Sequence, residues 1–77
     1  MSDELLDATG LICPLPVLRA RKMLKALPAG AVLEVHADDP AAPNDFHQFC
    51  AAAGHALQAD AVRDDGVFVF HIAKSGR

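Results

Sequence analysis

Two cysteines are the strongest candidate nucleophiles in the chain, and their neighbourhoods differ. Cys13 is followed directly by Pro14-Leu15-Pro16, between a short apolar segment and a longer one with helical spacing. A residue before proline is pushed toward extended backbone, the geometry of a helix N-cap, and proline is favoured in a first helical turn, whose N–H groups lack helical partners. The spacing therefore places Cys13 beside a helix N-terminus, with Pro14 and Pro16 as its supporting turn. There the helix dipole, about half a positive charge, favours thiolate over thiol, and nearby Arg and Lys add to the same field, which predicts a lowered thiol pKa. A thiolate in a rigid, exposed turn is suited to attack on a sulfur atom. The competing reading is a cysteine that merely fills a strand–helix junction.

Cys50 is different in kind. It shares a helical face with Phe46, Phe49 and Ala53, which predicts a packed, inert thiol. Neither cysteine belongs to a C-x-x-C pair, so dithiol exchange and paired-knuckle zinc sites lack their residues. His47 and Cys50 diverge by about 60° on a helical wheel, so with His55 they are not expected to share a metal ion. His36 and His71 read as solvated residues on an open sheet face. Asp38-Asp39-Pro40 reads as a strand terminator, or as a carboxylate pair for acid–base work that no His or Ser motif supports.

The elements that must position Cys13 follow from apolar periodicity and from Pro and Gly punctuation. Leu5 to Ala8 reads as a strand ended by Thr9-Gly10. Pro14 to Leu27 reads as a helix, stopped by Pro28-Ala29-Gly30. Ala31 to Ala37 reads as a second strand, and Pro43-Asn44-Asp45 as the cap of a second helix closed by Gly54. Leu57 to Val62, alternating Leu57/Ala59/Ala61 against Gln58/Asp60, and Val67 to Ile72 read as a hairpin turning at Asp64-Asp65-Gly66. The order is βαβαββ. A right-handed first βαβ unit makes a parallel pair, and polar residues at alternate strand positions allow helices on only one face. The predicted fold is an α/β (α+β) two-layer sandwich with a mixed four-stranded sheet and two helices on one face, a single domain over residues 1–77.

With 77 residues, a second core does not fit, and 52% hydrophobic residues against a net charge of −3 favour a compact state over disorder. No apolar stretch reaches the roughly 20 residues of a membrane span, and no apolar signal region follows Met1, so no membrane association and a cytoplasmic location are expected. The net acidity argues against direct nucleic-acid binding. Charge is nevertheless uneven, with Arg19, Arg21, Lys22 and Lys25 forming a basic island on the first helix. On a helical wheel Val17, Ala20, Met23, Leu24 and Leu27 cover the core face, while Leu15 and Leu18 fall among the basic residues. Two exposed leucines beside a nucleophile, rimmed by positive charge, read as a docking patch for a protein partner.

At Leu6-Asp7-x-x-Gly10-Leu11-x-Cys13-Pro14-x-Pro16, Pro28-x-Gly30, Ala37-Asp38-Asp39-Pro40, Asp45, Phe49-Cys50 and Gly54-His55, the chain resembles the TusA/SirA-like family of small sulfur carriers. The resemblance runs nearly end to end. It implies a two-layer fold like the C-terminal domain of translation initiation factor three. It also implies a sulfurtransferase that acts as a stoichiometric relay: Cys13 accepts persulfide sulfur from a cysteine desulfurase or rhodanese and passes it to an acceptor protein, with no cofactor. Carried over by position, Leu18, Arg21, Lys22 and Asp39 resemble partner-contact residues. Members of the tRNA-thiolation branch often carry a basic residue before the cysteine and an acid between the prolines, whereas Ile12 and Leu15 stand here and make the surface more apolar.

Two readings from other classes stand beside the carrier. One is a non-enzymatic regulatory or interaction module of the same fold, in which Cys13 is incidental. The other is a thiol redox sensor, which lacks an adjacent resolving cysteine. Val32, Val62, Val67 and Val69 are expected to leave an apolar strip on the uncovered sheet face, interrupted by Glu34, Gln58 and Asp60, so a monomer is expected.

Overall fold

The computed structural model describes residues 3–76. Its elements are β1 (Glu4–Asp7), α1 (Leu15–Ala26), β2 (Val32–Ala37), α2 (Ala42–Ala53), β3 (Ala56–Val62) and β4 (Phe68–Ala73). The sheet order is β1-β2-β4-β3, with β1 and β2 parallel and the other two pairs antiparallel. The βαβαββ mixed sheet is the one the sequence predicts.

The alternation of β2 explains the layering. Leu33, Val35 and Ala37 are fully buried, and the β4 residues paired or interleaved with them, Phe70 and Ile72, are buried too. Ala20 and Leu24 of α1 and Phe46 and Cys50 of α2 close over them. The Phe46 and Phe70 rings stack with centroids 4.7 Å apart. Gly54 ends α2 in the left-handed conformation (φ 77°), which only glycine adopts without strain.

Three local expectations are corrected. First, α2 begins at Ala42, ahead of the expected Pro43-Asn44-Asp45 cap. Asp39 sets the start, accepting the Ala41 N–H on its carboxylate (3.3 Å) and the Ala42 N–H on its carbonyl (2.9 Å). Pro43 fits the first turn, where no helical donor is needed, and Asp45 becomes a first-turn acid.

Second, a register shift between Leu57 and Ala59 breaks the expected alternation of β3. Gln58 is the extra residue of a bulge, so every side chain beyond it changes face. Ala59 and Ala61 pair with His71 and Val69 on the open face, while Asp60 and Val62 pair with Phe70 and Phe68 on the helix side. Asp60 there meets His47 of α2. Val62 therefore does not join the open-face strip.

Third, His36 and His71 are not free solvated residues. Glu34 lies between them, with its carboxylate oxygens 2.6 Å from His36 Nε2 and 3.1 Å from His71 Nε2.

Candidate functional site

Parallel pairing of β1 with β2 brings the loops that leave their C-terminal ends side by side, and the site is built there. The Asp7 carboxylate accepts the Thr9 N–H (3.0 Å) and hydroxyl (2.6 Å), which folds the chain over at the end of β1. Gly10 continues with a φ of 81°, left-handed backbone that a side chain would strain. Asp38 then accepts the Gly10 N–H (3.0 Å), and Asp39 accepts the Cys13 N–H at 2.6 Å. The Asp38-Asp39 pair follows directly on the end of β2 at Ala37, as a strand terminator should, and its carboxylates have a further role. It is a clamp from the end of β2 on the loop that carries Cys13.

Cys13 is exposed and stands one residue before Pro14, the N-cap of α1, joined to it by a cis peptide bond. The Leu18 N–H donates to the Pro14 carbonyl (3.1 Å), and Pro16 lies buried in the first turn. Cys13 is therefore adjacent to the helix terminus, as the spacing predicts, without being its cap.

The expected lowering of the Cys13 pKa is overturned. Its thiol donates to the Asp45 carboxylate, some of its water is displaced, and the negative charges of Asp45 and Asp39 oppose another on the sulfur. All these raise the thiol pKa. The helix terminus and the basic island do not prevail, because the charges acting on the sulfur are carboxylates. Asp45 is the residue the sequence reading missed as part of the site. Its signal was available: an acid in the first turn of a helix whose preceding loop grips the cysteine loop.

Cys13, Pro14, Val17, Asp45, Gln48 and Phe49 line one concavity of about 360 Å³. On the other side of α1, a cavity of about 560 Å³ holds Leu15, Leu18, Arg19 and Lys22 over Leu6 and Met23. Leu15 and Leu18 are 41% and 49% exposed, so α1 has the phase the wheel assigns. The basic rim, read as one surface, is divided: Lys22 flanks the leucines, whereas Arg21 faces the seam with α2. Asp39, matched by resemblance to a partner contact, is half-buried beneath the Cys13 loop.

Cys50 is buried beside Phe46, and burial pushes its thiol from the ordinary 9.0 up to about 11. In the folded protein it should alkylate only after denaturant is added. A thiol that ionises less readily folded than unfolded stabilises the fold fully below about pH 9 and loses that contribution as pH rises toward about 11. The urea midpoint should fall over that window, and Cys50→Ala should flatten the fall. An equal fall in both proteins would assign the alkaline loss to another group.

Among the described residues, no group of three or more His, Cys, Asp or Glu side chains is arranged to hold a metal ion, and no helix is long and apolar enough to cross a membrane. His55 accepts the Ser75 N–H (2.9 Å) on Nδ1, away from His47 and its partner Asp60.

Comparison with known proteins bears on the family and the fold. The profile of the family described as Sulfurtransferase TusA matches residues 4–74. A protein of Neisseria meningitidis serogroup A, named as a candidate sulfur carrier, is 54% identical over 68 residues, 88% of this chain and 90% of its own. The sulfur carrier protein TusA of Allochromatium vinosum is 47% identical over 73 residues, 95% of each chain. The crystal structure of a SirA-like protein from Desulfitobacterium hafniense superposes with a TM-score of 0.84 at 30% identity, over 94% of this chain and 97% of that one. A family profile that spans residues 4–74, relatives matched nearly end to end and a shared fold together mean that the chain belongs to the sulfurtransferase TusA family of small sulfur carriers.

Proposed function

We propose that the chain, residues 1–77 acting as one domain, is a persulfide relay in which Cys13 is the sulfur-bearing residue. The observation that carries this reading is a single exposed thiol, fixed by its backbone to Asp39 and with its only fellow cysteine buried in the core. The Cys13 sulfur attacks the outer sulfur of a donor persulfide. The donor S–S bond breaks, its electron pair returns to the donor's own sulfur, and the proton released from Cys13 goes to that departing thiolate. Cys13–S–SH forms with no net oxidation, and the reverse chemistry on an acceptor thiolate unloads it.

With Cys50 enclosed on α2, no second thiol of the chain resolves the persulfide into a disulfide, so sulfur leaves only to a partner. The donor is a cysteine desulfurase or a rhodanese-type protein, and the acceptor a second protein thiol. Leu15, Leu18, Arg21 and Lys22 meet these partners, Pro14 and Pro16 hold the turn, and Asp39 positions the loop. The site of action is the cytoplasm, where protein thiols stay reduced.

Mass spectrometry after incubation with a cysteine desulfurase and free cysteine tests the reading. The wild-type chain should gain about 32 Da, one sulfur, at Cys13, and Cys13→Ala should gain none. Wild-type chain that gains no sulfur, or sulfur that maps to Cys50, would refute it. Partner binding unchanged in Cys13→Ala with no sulfur gained by either protein would favour the interaction module instead.

A further inference from the structure

The seam between α1 and α2 extends well beyond Cys13. Val17 and Arg21 follow one another by a helical turn on α1, as do Asp45, Phe49 and Ala53 on α2. Phe49 lines both the concavity around Cys13 and an adjoining one of about 320 Å³ edged by Arg21, Lys25, His55 and Lys74. The two concavities therefore form one groove.

Its two ends carry opposite charge. At the Cys13 end stand Asp45 and Asp39. At the far end stand Arg21 and Lys25, both exposed, and among the described residues neither has a carboxylate within ion-pair distance. Lys74 adds a third positive charge there while its Nζ donates to the Leu27 and Lys25 carbonyls at the end of α1. Burial, and after it the Lys74 charge, lower the pKa of His55, which disfavours a fourth positive charge there.

From these features we infer that the groove receives an extended polypeptide segment of a partner, with the partner's reactive cysteine over Cys13 and an acidic side chain over Arg21 and Lys25. The inference rests on the carrier reading and supplies the partner chemistry it leaves open. From its first residue α1 rises about 9 Å to Arg21 and about 15 Å to Lys25, and an extended chain advances about 3.3 Å per residue, so the acid stands roughly three to five residues from the partner's cysteine. An acid next to that cysteine would instead face Asp45 and Asp39 and be repelled. The apolar floor of Phe49 and Val17 accommodates small uncharged residues between them.

The test uses synthetic Gly/Ser peptides bearing one cysteine as its mixed disulfide with thionitrobenzoate. Cys13 attacks the peptide sulfur, the peptide–thionitrobenzoate bond breaks, and coloured thionitrobenzoate leaves with the electron pair as the peptide joins Cys13. At low salt a peptide with Asp four residues from its cysteine should react about tenfold faster than its Asn counterpart, through attraction in the encounter. With Asp adjacent to the cysteine it should react more slowly than the Asn peptide. The tenfold advantage should shrink at about 0.5 M salt and vanish in Arg21→Glu/Lys25→Glu.

Equal rates for the Asp and Asn peptides, an advantage indifferent to spacing, or one that survives charge reversal would overturn the inference. Loading of Cys13 by sodium polysulfide, which needs no groove, reads the carrier function separately. Polysulfide loading with no peptide preference sinks the groove alone, and absence of loading sinks the carrier reading.

Discussion

Replacing Asp45 with Asn should shift the pH profile of Cys13 alkylation toward lower pH and make the resting thiol more reactive near neutrality. The sign follows from the site. The Asp45 carboxylate accepts the thiol proton's hydrogen bond and opposes charge on the sulfur, so both effects favour the thiol. An amide in the same place carries no charge. Below the midpoint, thiolate population rises tenfold for each pH unit by which the midpoint falls, and iodoacetamide kinetics from about pH 6 to 11 would read it directly. Asp39→Asn should move the profile in the same direction, with a second consequence that Asp45→Asn lacks: it weakens the hold on the Cys13 N–H and on the start of α2. An unchanged or upward-shifted profile in Asp45→Asn would show that the helix terminus, rather than the carboxylates, governs this sulfur.

The second large effect lies in the core. Phe46→Ala removes a ring that is fully buried and stacked on Phe70. Such a truncation costs about 3–5 kcal/mol, comparable to the whole stability of a domain this small. In urea followed by circular dichroism the variant should show no cooperative transition, or one displaced almost to zero denaturant. Leu18→Glu should behave oppositely, because the side chain is 49% exposed on the outer face of α1, and its urea midpoint should stay near that of the wild type. A folded Phe46→Ala with an unshifted midpoint would mean that the two-layer core is not what holds the sheet to its helices.

Much of this was legible in sequence, for reasons specific to particular segments. Pro14 and Pro16 restrict the backbone locally, so the start of α1 beside Cys13 could be read without knowing the rest of the fold. The period-3.6 pattern from Val17 to Leu27 and the period-2 pattern of β2 report burial on one side of each element, and two such patterns joined in βαβαββ order leave few topologies. Cys50 among Phe46 and Phe49 was readable as a core thiol by the same periodicity. The bulge at Gln58 was not, because one inserted residue in a ladder depends on the partner strand, and it carried Asp60 and Val62 to the opposite face.

The chemistry of Cys13 divides along the same line. Its residue type, its prolines and its place before a helix are local, and sequence alone determined that this thiol would be exposed beside a helix terminus. The sign of its pKa shift was decided only by tertiary structure. Asp39 and Asp45 lie 26 and 32 residues further along the chain, and parallel pairing of β1 with β2 is what brings their loop and helix against Cys13. Electrostatic interaction falls with distance in space and not with separation in sequence, so a basic island nearby in the chain was outweighed by two carboxylates nearby in the fold.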